Sequence, residues 1–160
     1  MFSAFLICIL DLFCKYRVEH SRSLPKSAGS GQICIDRVHN YGLMCDLLQK
    51  KPGLARLISG TVFGLLCLLA VPVLNDSKRP ALLRWGLALM LGGGCSNTAD
   101  RLIRGYVVDY IRFPALFGRL TFNLGDFSIF LGAILTAISG AQTTDTCSMY
   151  QIPTLDLDRS

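Results

Sequence analysis

Leu57–Leu74, LISGTVFGLLCLLAVPVL, is a run of eighteen residues without a charge. As a helix it is about 27 Å long, close to the roughly 30 Å hydrocarbon core of a bilayer. It reads as a transmembrane helix, and the composition agrees. Of 160 residues, 51% are hydrophobic and 17% charged, where a soluble domain carries about 25% charged residues. A chain of this length has room for about four spans joined by short loops.

Upstream, Phe2–Cys14 (FSAFLICILDLFC) is apolar but short for a span, and Asp11 interrupts it. A cleaved leader has a basic start and no acid in its apolar stretch. The segment therefore reads as a shortened first span, lacking a few residues at its start. Between the two runs, SLPKSAGSGQ is a loop by its Ser, Gly and Pro content. ICIDRVHN (33–40) alternates in part, as a short strand does, and KKPG is a turn. Downstream, NDSKRP is a tight polar turn, and Pro80 suits a helix start. A third apolar segment runs from Ala81 to about Leu102, and a fourth covers Phe127–Ala141, extended upstream through FNLGD.

The expected architecture is one all-α integral membrane domain with spans at about 2–17, 56–75, 81–103 and 124–141. A platform at about 18–55, with room for short β-strands, and a polar tail at about 142–160 complete it. Four spans put both termini on one side. The basic NDSKRPALLR turn suits the cytoplasm. Gly60 and Gly64 offer a small-residue face to another helix.

The net charge of +5 is scattered through the non-apolar segments. It suits lipid headgroups and forms no basic stripe for nucleic acid. Seven cysteines and two histidines include no CxxC, which argues against a zinc site. Cys8, Cys67 and Cys95 read as small hydrophobes. Cys34 and Cys45 are a minor candidate for a disulfide. His20 and His39 read as loop residues.

Asp109 in GYVVDYI and Asp126 in FNLGDFSIFLGAIL stand seventeen positions apart at the edges of apolar runs. An acid near hydrocarbon costs a few kcal/mol or more and is kept where it has a task or a partner. One use is a carboxylate pair that shares a proton and activates water. Taken alone, the two acids also fit interfacial partners of Arg101, Arg104, Arg112 or Arg119. Tyr106, Tyr110, Phe113 and Phe122 fit an interfacial aromatic belt. A proton-coupled carrier is the rival class. No internal repeat supports it.

The polar residues form an ordered series: Asp11 and Lys15 in LDLFCK, Asn40 and Gly42 in HNYG, Asn97, Asp100 and Arg101 in GGGCSNTADR, Asp109 in GYVVDYI, Asn123 and Asp126 in FNLGD. From about Leu10 to Ile138 this series resembles the lipoprotein signal peptidase (signal peptidase II) family. NTADRLIRGYVVDYI and FNLGDFSI carry the resemblance most strongly. It implies an aspartic endopeptidase with Asp109 and Asp126 catalytic, titrating as a unit, without metal or organic cofactor. The implied substrates are diacylglyceryl-modified prolipoproteins, cut just before the lipidated cysteine. The implied location is the bacterial inner (cytoplasmic) membrane, with a multi-pass monomer in contact with lipid and its site at the extracytoplasmic face. A relative that binds precursors without cutting them is a further alternative.

By the same resemblance Asn40, Asn97, Arg101 and Asn123 line the site. Asp100 beside Arg101 suggests an ion pair. Asp11 and Lys15, four apart on one helix face, either pair locally or shape the site. The chain departs from the family's usual pattern at Ser96 (usually Gly), Gly125 (usually Ala), the bulky HNYGLMCDLL run and the reduced aromatic connector IRFPALFGRLTF.

Overall fold

The structure, a computed structural model, describes residues 2–28, 32–43 and 47–149. Four long helices form its body: α1 (Phe2–Glu19), α2 (Pro52–Asn75), α3 (Ala81–Ile103) and α5 (Leu124–Met149). One turn of helix, α4 (Pro114–Phe117), lies in the connector before α5. Helix α3 is central and packs on α1, α2 and α5.

Glycine sets the α3–α5 distance. A Cβ on Gly86 would fall 2.5 Å from Thr136 Oγ1 and 2.8 Å from Gly132 O. A Cβ on Gly132 would fall 2.5 Å from Gly86 O, and one on Gly93 would overlap Gly125 O. The two helices thus touch backbone to backbone at two levels, the close packing that small residues permit. On the other side, a Cβ on Gly92 would strike Ala4 O at 2.7 Å in α1. Gly60 and Gly64, expected to receive a helix, have open space above them. α2 instead packs on α3 through a small apolar core of Ala70, Leu74, Ala88 and Leu91.

Helix α1 is polar inside and apolar outside. Asp11 and Lys15 are fully buried, while Phe5, Ile9 and Phe13 are exposed. This is the arrangement expected where the surrounding medium is hydrocarbon. Two helices, α2 and the Leu124–Gln142 part of α5, are long and apolar enough to cross a membrane.

The mostly helical body and the short strands allowed for in the platform are present, and the sheet reaches beyond the platform: it has four antiparallel strands in the order β1 (Lys26–Ala28), β2 (Ile33–Asn40), β3 (Val107–Arg112), β4 (Thr121–Phe122). The expected strand at ICIDRVHN is β2. The missed one is β3, whose VVDYI is rich in the β-branched and aromatic residues that suit strands. β2 and β3 pair with Val38 opposite Asp109 and Asn40 opposite Val107. The register shifts between Ile35 and Val38, and such a bulge re-aims the residues beyond it.

The sheet is tied to the end of α1. Arg37 donates to Glu19 O at 2.6 Å, and His39 pairs with the Glu19 carboxylate at 3.1 Å. The His39 ring lies 4.3 Å from that of Tyr106. Cys45, and with it the Cys34–Cys45 disulfide, lies outside the described residues, as do 150–160 of the expected tail.

Candidate active site

Strand β3 and the first turn of α5 bring Asp109 and Asp126 together around Asn123. Asp109 is 4% exposed. The Asn123 amide donates to Asp109 Oδ1 at 2.6 Å, and its own Oδ1 accepts the Asp126 backbone N–H at 2.9 Å. The Asn123 backbone N–H donates to Asp126 Oδ2 at 3.1 Å. This reciprocal pair is a helix-capping arrangement, and it locks the second acid to the residue that holds the first.

Two more asparagines complete the set. Asn40 Nδ2 donates to Asp109 Oδ2 at 3.1 Å, and Asn97 Nδ2 donates to Asp126 Oδ1 at 2.8 Å. Each of the four carboxylate oxygens therefore receives one N–H. The amide orientations follow from what faces each carbonyl. Asn40 Oδ1 accepts the Gly42 N–H at 3.0 Å, Asn123 Oδ1 accepts the Asp126 N–H, and Asn97 Oδ1 faces the Lys15 ammonium at 2.7 Å. Backbone N–H and ammonium groups can only donate, so all three amide nitrogens are turned onto the acids.

Burial raises the Asp109 carboxyl from 3.8 to about 7, with the Asp126 charge adding to the effect. The Asn40 and Asn123 amides oppose it because they stabilise the ionised form. Among the described residues, neither acid is ion-paired to an arginine. Arg104 reaches Asp100 at 3.3 Å, Arg112 reaches Asp36 at 3.2 Å, and Arg101 donates to Gly42 O at 2.9 Å.

The expected Asp100–Arg101 pair is thus replaced. Adjacent side chains on a helix diverge, whereas those four apart meet, so Asp100 takes Arg104 and also Lys15 at 3.4 Å. Arg101 instead clamps the turn that orients Asn40. Asp11 and Lys15 form the local pair, at 2.7 Å, and Lys15 also reaches Asn97.

Two residues were missed from sequence. Ser96, which stands where the family usually has glycine, is fully buried, donates to Asp11 Oδ2 at 2.5 Å and accepts from Lys15 at 3.0 Å. Tyr110, expected in an aromatic belt, is buried; its hydroxyl donates to Asp11 at 3.2 Å and accepts the Leu124 N–H at 3.2 Å. β3 is buried at four successive positions from Val107 to Tyr110, so strand alternation gave no signal for this burial.

The signal peptidase (SPase) II family model matches residues 3–141. The chain belongs to the signal peptidase II family. The lipoprotein signal peptidase of Vibrio parahaemolyticus serotype O3:K6 is 37% identical over 120 residues, covering 68% of this chain and 66% of that protein. That of Alteromonas mediterranea is 32% identical over 145 residues, covering 83% of this chain and 75% of that one. The chain thus spans just under two thirds of the Vibrio protein's length. A solved bacterial membrane enzyme shares the fold, with a TM-score of 0.76 at 23% identity, over 94% of this chain and 91% of its own. Signal peptidase II membership accounts for the ordered polar series and its meeting at one place. A surface groove of about 440 Å³ between α2 and the end of α3, lined by Arg56, Leu57, Gly60 and Leu102, lies apart from the two acids.

Proposed function

We propose that this chain is an intramembrane aspartic endopeptidase that removes the signal peptide from diacylglyceryl-modified prolipoproteins, cutting before the lipidated cysteine. The observation that carries this reading is the set of three fixed amides aimed at one buried and one half-buried carboxylate. A structural ion pair would have put cations there. Two acids held by neutral donors keep one proton between them, because like charges at close range resist joint ionisation.

Asp109, raised to about 7, holds that proton and donates it to the scissile carbonyl. Asp126, ionised, takes a proton from water as its oxygen attacks the carbonyl carbon. On collapse the C–N bond breaks. Asp126 gives the water-derived proton to the leaving nitrogen, Asp109 takes back the proton from the former carbonyl oxygen as C=O re-forms, and the acyl carbon keeps the hydroxyl from water. Each carboxylate oxygen spends one acceptor position on a protein N–H and keeps the other for substrate, water or the shared proton.

On this reading α1 and α3 cross the bacterial inner membrane beside α2 and α5, the two helices long and apolar enough to do so, and the chain is a monomer with the sheet as its extracytoplasmic platform. α1 and α3 carry charge, but their acids face inward and their exposed faces are apolar. The test is a gel shift of a lipidated precursor with wild type, Asp109→Asn and Asp126→Asn. Each variant should insert in the membrane and leave the precursor uncut. Full processing by either would eliminate the paired-acid mechanism.

A further inference from the structure

Lys15 has no exposed surface, and the acids it pairs with directly are Asp11 and Asp100, not the reacting pair. Its ammonium sits among Asp11 Oδ2 at 2.7 Å, Asn97 Oδ1 at 2.7 Å, Ser96 Oγ at 3.0 Å and Asp100 Oδ2 at 3.4 Å. Arg104 also meets Asp100, so two cations and two acids close a neutral cluster behind the site. What the cluster hands to the site is an orientation. An ammonium has no lone pair, so Asn97 must turn its carbonyl to Lys15. With the amide reversed, NH2 would face NH3+ and the carbonyl oxygen would face Asp126 Oδ1, leaving two mismatched contacts.

We propose that Lys15 is a positioning residue for hydrolysis, acting through Asn97: it fixes that amide so that its N–H stays on Asp126. The proposal rests on the paired-acid reading above. Asp126 is faced by Asp109 from β3, by Arg101 from α3, and by Asp11 and Lys15 from α1. Among these groups, Lys15 is the one that donates to the Asn97 carbonyl.

Processing of a lipidated precursor is measured against pH for wild type, Lys15→Met, Asn97→Ala and the double variant, each in its membrane at equal amount. Lys15→Met should lower the rate about tenfold or more, up to the roughly 10²–10³-fold that complete loss of one oriented donor produces. It should also move the acid limb of the profile to higher pH, because the base loses a fixed donor to its ionised form. Asn97→Ala should do the same, and the double variant should match Asn97→Ala alone.

Shifts that add in the double variant, or a rate loss with an unmoved limb, would overturn the proposal, since both describe a lysine acting independently of Asn97. Lys15→Met leaves Asp11 without its cation, so Asp11→Asn/Lys15→Met is run beside it to keep the cluster neutral. That variant should show the same limb shift, and an unmoved limb there also overturns the proposal. If Asp109→Asn and Asp126→Asn abolish cutting while the cycle is additive, only the role of Lys15 is lost. If they cut normally, the paired-acid reading is lost first.

Discussion

At the residue scale the two acids differ in surroundings, and that difference sets a pH dependence. Asp109 holds its proton up to about pH 7, so the singly protonated pair is depleted above that point. Processing should fall on an alkaline limb near pH 7, read from initial rates across a buffer series. The same raised value bears on stability. A carboxyl that binds its proton more tightly when folded than when unfolded loses stability as pH rises from its ordinary 3.8 to about 7. Asp109→Asn should therefore unfold at a higher temperature than wild type at pH 8, with little difference near pH 4. Thermal melts of the purified protein in detergent check this.

Asn123 both donates to Asp109 and caps Asp126. Asn123→Ala should lower turnover by the equivalent of a few kcal/mol, about the worth of one oriented donor, while the protein still inserts; unchanged turnover would make Asn123 a packing residue. Ser96 and Gly125 are a coupled departure from the family. A Cβ on Gly125 would fall 2.9 Å from Asp11 Oδ2, the oxygen that Ser96 already bonds. Gly125→Ala alone should lower the melting temperature. Ser96→Gly/Gly125→Ala, which removes the hydroxyl that pins Asp11, should recover most of the loss.

At the element scale the interhelical contact is the sensitive feature. Gly93→Leu would drive a side chain into the Gly125 backbone, and overpacking of this kind costs about 1–3 kcal/mol or more. Little folded protein should survive detergent extraction. Gly60→Ala and Gly64→Ala, with nothing above them, should extract like wild type, as measured by size-exclusion recovery.

The contrast shows what was legible beforehand. The uncharged α2 run, the ordered polar series and the strand at ICIDRVHN could be read from residue type and spacing. Which glycines carry a contact could not, because GTVFG and GGG look alike until a partner helix is placed. β3 was not legible because VVDYIR is buried at four successive positions and so lacks the alternation that marks a half-buried strand. Asp100–Arg104 follows the i,i+4 rule, whereas the Lys15 contacts of Asp100 and Ser96 and the Asp11 and Leu124 contacts of Tyr110 join separate elements, and no local pattern encodes such meetings.

At the scale of the whole molecule, polar groups are gathered inward and toward the sheet, and apolar side chains face out along the helices. In the proposed orientation the Asp76–Pro80 turn is cytoplasmic, and the sheet, with both acids beside it, is at the opposite membrane face. Alkaline phosphatase fused after Ser77 should be inactive, and fused after Gly118 it should be active; the reverse pattern would invert the proposed orientation.

The backbone contact between α3 and α5 also limits how a substrate can arrive. Two helices with glycine faces in direct touch at Gly86–Gly132 and Gly93–Gly125 leave no seam wide enough for a fatty tail. On the proposed reading, a lipid anchor reaches the two acids along a flank of the bundle other than this closed seam.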